Sequence, residues 1–74
     1  MIMKNDICKT IGENIAFYRR LNGFSQRVLG NMVGLSQSKI SDIELGKDNF
    51  DLDLFVSIAK ALNIEYEKLC ESNI

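Results

Sequence analysis

An all-α fold of five helices is what this sequence predicts, on three observations. Apolar residues recur at the three- and four-residue steps of an α-helix in five successive stretches. No stretch alternates with the two-residue period of a half-buried strand. The stretches are punctuated by helix starts and stops, with Ser25, Ser36 and Asp51 ahead of them and Gly34, Gly46 and Asn63 behind them. The helices are expected over about 6–22, 26–33, 37–45, 52–62 and 66–72, in one domain spanning 1–74. A chain of 74 residues is near the lower limit at which a single core suffices, so packing must be economical or a partner must help.

The first helix opens at Asn5 or Asp6, either of which can cap it. Ile7, Ile11, Ile15 and Tyr18 form a stripe along it, widened by Phe17 and Leu21. Arg19 and Arg20 fall in its last turn, where the helix dipole favours cations, and Asn22-Gly23 stops it. Phe24, just ahead of the Ser25 cap, is placed to pack on Leu29 as a hydrophobic staple. In the second helix Val28, Leu29, Met32 and Val33 recur at helical steps until Gly34 turns the chain and Leu35 points back to the core. Gly30 inside this helix costs about 1 kcal/mol relative to alanine, which predicts a close approach of the third helix there. Ser36 caps that third helix at once. Two helices of about two turns, joined by about four residues, cannot lie antiparallel and must cross steeply, the helix-turn-helix arrangement. A loop over 47–50 follows. Leu52, Phe55, Val56, Ile58, Ala59 and Leu62 then form an apolar face wide enough to mark the fourth helix as the central core helix. Ile64 returns to the core, and the short last helix carries Tyr66, Leu69 and Cys70 inward or towards a partner.

The third helix carries the functional signal. Ile40 and Ile43 cover one side, while Gln37, Ser38, Lys39, Ser41 and Asp42 leave a side of short polar groups with one long cationic side chain. A helix that only needs solubility usually carries Glu and Lys at four-residue spacing. Side-chain amides instead match the donor and acceptor pair of adenine, and a serine hydroxyl serves either way, so this face can read base edges in a major groove. By itself the pattern fits a short solvated helix with two core contacts better.

A net charge of −1 argues mildly against nucleic acid, whose binding draws on phosphate contacts from Lys and Arg. Its distribution matters more. Lys4, Lys9, Arg19 and Arg20 against Asp6 and Glu13 give residues 1–24 a net +2, and residues 25–49 balance. Lys60 and Lys68 against Asp51, Asp53, Glu65, Glu67 and Glu71 leave the last third at −3. The first two thirds are thus free to face an anion while the tail faces away. Without histidine, and with Cys8 and Cys70 near opposite ends, no metal set or cofactor is expected and both thiols read as reduced packing residues. The chain has no apolar run long enough to span a bilayer and no signal-peptide pattern, so no membrane partner and a cytoplasmic location are expected. It lacks a glycine-rich phosphate loop and paired carboxylates in an apolar setting, and Asp51 and Asp53 at a helix start read as capping, so an enzyme is not expected.

The run from Ile11 to Ile64 resembles the Cro and phage-repressor type helix-turn-helix family, also called the xenobiotic-response-element family. Its most specific parts are G-F-S-Q at Gly23 to Gln26, G-L-S-Q at Gly34 to Gln37, I-x-x-I-E-x-G-K at Ile40 to Lys47, and I-A-K-A-L at Ile58 to Leu62. The resemblance implies a five-helix, lambda-repressor-like domain that binds a palindromic operator as a homodimer, regulates transcription and inserts the helix 37–45 into the major groove. It places Ser25, Gln26, Ser36, Gln37, Ser38, Lys39, Ser41, Asp42, Lys47 and Asn49 at the DNA, with Gln37, Ser38 and Asp42 nearest the bases and Gln26 on phosphate. It makes Arg19 and Glu44 an internal ion pair.

Asp42 stands where members often carry Arg or Lys, Gly30 where alanine is usual, and Phe50 where proline is common after the recognition loop. Val28 and Met32 occupy positions that are often charged. As an exposed pair they would offer a contact for RNA polymerase or another protein, although an extension of the core is the commoner explanation. Phe50, Tyr66, Leu69 and Ile74 are the expected contacts between copies. A chain this short implies a phage-type repressor, an antitoxin or a restriction-modification controller. The alternative is a protein-interaction module of the same fold, antitoxin-like or anti-repressor-like, with weak or no DNA binding.

Overall fold

Side chains that cap their own helices set the boundaries of this chain. In the computed structural model, which describes residues 4–71, α1 spans Lys4–Leu21, α2 Gln26–Val33, α3 Gln37–Glu44 and α4 Leu52–Ala61. Ser25 accepts from the N–H of Val28 at 3.0 Å, Ser36 from Lys39 at 3.1 Å and Asp51 from Leu54 at 2.9 Å, so each of α2, α3 and α4 has one orphan donor satisfied at its start. Gly34 takes the left-handed conformation (φ 77°) that ends α2, and Asn63 does the same after α4 (φ 60°). The backbone of α1 is helical from Lys4, so Asn5 and Asp6 lie within its first turn rather than ahead of it.

The described residues hold four α-helices, not five, and no strand. The expected fifth helix is a 3-10 turn, Tyr66–Cys70, with extended residues at Glu65 and Glu71. Five residues are too few to nucleate an α-helix without help, and the carbonyls that would continue it are taken by another element. The buried amide of Asn14 on α1 donates from Nδ2 to the carbonyls of Leu69 and Glu71, both at 2.7 Å. Leu69 is fully buried as a result, so it belongs to the core and is not a contact between copies. Tyr66 and Cys70 face outward, and Ile74 lies outside the described residues.

Ile11, Ile15, Leu29, Ile40, Ile43, Phe55, Ile58, Ala59, Leu62 and Leu69 make one core. Each full burial of such a side chain stabilises by about 1.5–3 kcal/mol relative to exposure. Two expected core faces are narrower than the periodicity implied. Phe17 and Leu21 on α1 and Leu52 on α4 are more than half exposed, because Asn14 and Arg19 hold the inner side of α1 and the core edge lies beyond Leu52. Asn22 closes the far end, donating from Nδ2 to the carbonyls of Tyr18 at 2.8 Å and Leu62 at 3.1 Å.

Two glycines let backbones meet where a side chain would separate them. A Cβ on Gly12 of α1 would strike the carbonyl oxygens of Ile43 and Glu44, the latter at 2.6 Å, which fixes the α1–α3 crossing. A Cβ on Gly30 would lie 2.5 Å from the carbonyl oxygen of Leu35. The close approach at Gly30 therefore comes from the α2–α3 turn folding back, where the Leu35 N–H donates to the Gly30 carbonyl at 2.8 Å, and not from α3 as the sequence implied. Helix propensity alone favours Gly→Ala by about 1 kcal/mol. We expect Gly12→Ala and Gly30→Ala to destabilise instead, by about 1–3 kcal/mol each in urea unfolding, because the added methyl meets backbone that has no slack.

Candidate nucleic-acid interface

The outer face of α3 is positioned from behind by one buried charge cluster. Arg19 of α1 donates from Nε to Glu44 Oε2 at 2.6 Å and from Nη2 to Oε1 at 3.1 Å, a fork-on-fork pair with both side chains at most a tenth exposed. Its third nitrogen, Nη1, donates to the carbonyl of Phe24 at 2.9 Å and holds the turn ahead of the Ser25 cap. Gln26, the first residue of α2, donates from Nε2 to Glu44 Oε1 at 3.0 Å. One carboxylate thus gathers α1, α2 and α3. Among the described residues no buried side-chain nitrogen or oxygen lacks a partner, so the cluster is fully satisfied.

In front of this cluster Gln26, Gln37, Ser38, Ser41 and Asp42 line one polar recess of about 430 Å³. Ile40 and Ile43 are fully buried on the opposite side of α3, which leaves Gln37, Ser38 and Asp42 exposed. Five of the ten residues expected at DNA share this recess, and the other five are placed differently. The hydroxyls of Ser25 and Ser36 are occupied as helix caps. Lys39 pairs with Asp48 at 2.5 Å. Lys47 is exposed on the loop, its N–H donating to the Asp42 carbonyl at 2.9 Å. Asn49 is exposed with its Oδ1 accepting from the Cys8 thiol at 3.9 Å.

Two residues that sequence reasoning passed over belong beside this face. Arg20 borders an adjoining recess with Glu13, Gln26, Ser41 and Leu45, so of the two consecutive arginines one is buried in the charge cluster and the next is turned outward. The 100° step between neighbours on a helix is the signal for that split, once Arg19 is known to face in. Asp48 meets Lys39 across nine residues, which no helical spacing predicts. Its carboxyl is held below the ordinary range mainly by the Lys39 hydrogen bond, opposed by desolvation and aided by the Asn49 N–H and the Lys39 charge.

Against this geometry, residues 15–69 match a family model described as helix-turn-helix. The chain belongs to this helix-turn-helix family. The helix-turn-helix protein is 36% identical over 64 residues to control protein C.SmaI of Serratia marcescens, covering 86% of this chain and 76% of the relative. It is similar in structure to the restriction-modification controller protein C.AhdI of Aeromonas hydrophila, with a TM-score of 0.79, 31% identity, and coverage of 84% of this chain and 94% of that one. A hypothetical transcription factor, NHTF of Neisseria, shares the fold at a TM-score of 0.86 and 23% identity, covering 99% of this chain and 84% of that one. Both relatives above 30% identity carry names of control or controller proteins. No helix among the described residues is long and apolar enough to cross a membrane.

Because Glu44 carries both the Arg19 pair and the Gln26 amide, its loss leaves a desolvated guanidinium that keeps the Phe24 carbonyl but loses its countercharge. Glu44→Ala is expected to lower unfolding stability by about 3–5 kcal/mol, measured by denaturant melts, and Arg19→Ala by a similar amount.

Proposed function

We propose that this chain is a sequence-specific DNA-binding regulator of transcription, which binds a palindromic operator as a homodimer and inserts α3 into the major groove. The observation that carries the reading is the polar recess: the amide and hydroxyl tips of Gln37, Ser38 and Ser41 share it with the Asp42 carboxylate and the amide of Gln26 at the start of α2. A glutamine amide pairs with adenine N6 and N7, and a carboxylate accepts from cytosine N4. Gln26 beside the α2 N-terminus, with Arg20 and Lys47 flanking, supplies the phosphate contacts that fix register without reading sequence. The controller relatives at 36% and 31% identity support a regulatory role of the restriction-modification controller type. On this reading the chain works in the cytoplasm.

A homodimer needs a self-complementary face. Phe50 stacks on Phe55 at 6.0 Å and 15°, and Tyr66 meets the same ring at 6.0 Å and 64°. Leu52, 71% exposed, stands beside them on an apolar groove lined also by Ile11 and Cys70. Phe50, Tyr66 and Leu52 are the contacts we assign between copies, with Leu52 taking the place that buried Leu69 vacates. Two-fold pairing then sets the recognition helices about 34 Å apart, one turn of DNA.

A second reading, a protein-interaction module of this fold, draws on Val28 and Met32, which are 42% and 50% exposed one turn apart on α2. On the first reading the same pair is a contact for RNA polymerase or another protein. Selection from random DNA followed by fluorescence anisotropy over a salt series separates the two readings. We expect a palindromic preference and a log affinity that falls linearly with log salt, whereas a flat salt dependence sinks the DNA reading. Gln37→Ala is expected to lose about 1–3 kcal/mol of discrimination at one base pair of each half-site. Leu52→Glu, at a largely exposed side chain, is expected to shift sedimentation from dimer to monomer and to weaken operator binding. An unchanged sedimentation coefficient places the contact elsewhere.

A further inference from the structure

The sequence of α3 has a single cation, Lys39, and it does not point freely into solvent. Its Nζ lies 2.5 Å from Asp48 Oδ2, with about a third of each side chain still accessible (34% and 36%). Nor is Asp48 a loose partner. Its other oxygen, Oδ1, accepts from the N–H of Asn49 at 2.8 Å, so the local backbone presets the carboxylate. The loop that carries it is tied at its start by the Lys47 N–H to the Asp42 carbonyl and, past it, by Asn49 to the Cys8 thiol on α1. Exposed ion pairs usually gain little because two long side chains must be ordered to make them. Here one side is ordered already, and only the lysine has freedom to lose.

This latch bears on the DNA reading through charge. Sequence-independent binding comes almost entirely from phosphate contacts, whereas base edges specify. A four-carbon ammonium on the groove-facing helix is the group best able to grasp any phosphate within reach, and on α3 that group is occupied. Asp42, three residues after Lys39 on α3, and Asp48, paired with Lys39, leave α3 and its loop without a free excess of positive charge. We propose that Asp48 is a specificity-determining residue that competes with DNA phosphates for Lys39 and thereby holds down sequence-independent affinity. The inference rests on α3 being the DNA-facing helix. On an operator, bonds from Gln37, Ser38 and Asp42 seat α3 with Lys39 still on Asp48. On other DNA those bonds are absent, and a phosphate must displace a carboxylate that the loop has placed beforehand. The gap between specific and non-specific affinity, which decides whether a regulator finds its site, widens accordingly.

Asp48→Asn removes the charge and keeps an oxygen for the Asn49 N–H. Anisotropy on selected and scrambled duplexes across a salt series, with Asp48→Asn, Lys39→Met and the double variant, tests the latch. We expect Asp48→Asn to tighten scrambled duplex by roughly three- to tenfold, to steepen the log–log salt slope by about 0.9 per chain engaged, and to narrow the selected-to-scrambled ratio. All three changes should vanish in the Lys39→Met background. An unchanged slope in Asp48→Asn, or the same tightening with Lys39 absent, overturns this inference alone while the parent chain still binds its operator. If neither parent nor variant binds any duplex, the DNA reading falls and this inference with it. Thermal melts of all four chains confirm that the comparison is between folded proteins.

Discussion

Everything in the arrangement of α1, α2 and α3 depends on two opposite charges buried at their junction. Arg19 and Glu44 are far too short of solvent to be left alone, and desolvating each costs several kcal/mol before any contact is made. The protein offsets that cost by using every direction the two groups offer. The guanidinium binds both carboxylate oxygens and a backbone carbonyl, and the carboxylate takes a third donor from Gln26. A pair satisfied in this way is directional where apolar packing is not. It accepts one relative placement of three helices, and the same placement puts Gln26 at the mouth of the polar recess. On the proposed reading, structure and recognition are therefore joined at Glu44.

That directional constraint is needed because α3 is a poor helix by itself. Eight residues with two buried isoleucines gain about 3–6 kcal/mol from burial, while ordering each backbone residue costs about 1–2 kcal/mol. A helix whose outer face stays polar cannot widen its apolar stripe to correct the deficit. The Ser36 cap, the close contact of its C-terminal carbonyls with Gly12 and the Glu44 cluster supply the remainder from outside the helix. On the proposed reading the function shapes the energetics, since a face kept polar for base edges must be held by its neighbours.

Charge placement follows the same division. The overall charge is slightly negative, yet the acid gathers in the last third, where Asp51 caps α4 and Glu65, Glu67 and Glu71 stand in or beside the terminal 3-10 turn. Of the cations near α3, Arg19 is engaged with Glu44 and Lys39 with Asp48, while Arg20 and Lys47 are exposed. An interface built this way relies on hydrogen-bond geometry more than on electrostatic attraction.

Local signals in the chain carried much of the architecture. A serine or aspartate ahead of an apolar run and a glycine or asparagine after it are read by the backbone within one turn, so the caps at Ser25, Ser36 and Asp51 and the stops at Gly34 and Asn63 were legible, as were the buried Ile40 and Ile43 and the polar face opposite them. The resemblance supplied the Arg19–Glu44 pair, which spacing alone does not reveal. What periodicity could not supply was anything settled by contact between distant segments. Asn14 looks like an ordinary polar helix residue until its amide is seen holding the carbonyls of Leu69 and Glu71, and that capture turns the last segment into a 3-10 turn and buries Leu69. Gly12 is silent until another backbone lies against it, and Gly30 announces a close approach without showing that the Leu35 carbonyl makes it. Leu52 reads as core by its spacing and is exposed because the core ends short of it. Lys39 reads as a free cation and is claimed by Asp48. Helix starts, stops and faces are short-range properties of the chain. Which polar groups are spent inside the molecule and which are left for a partner is decided by three-dimensional neighbours, because a hydrogen bond or ion pair responds to distance in space and not to separation in sequence.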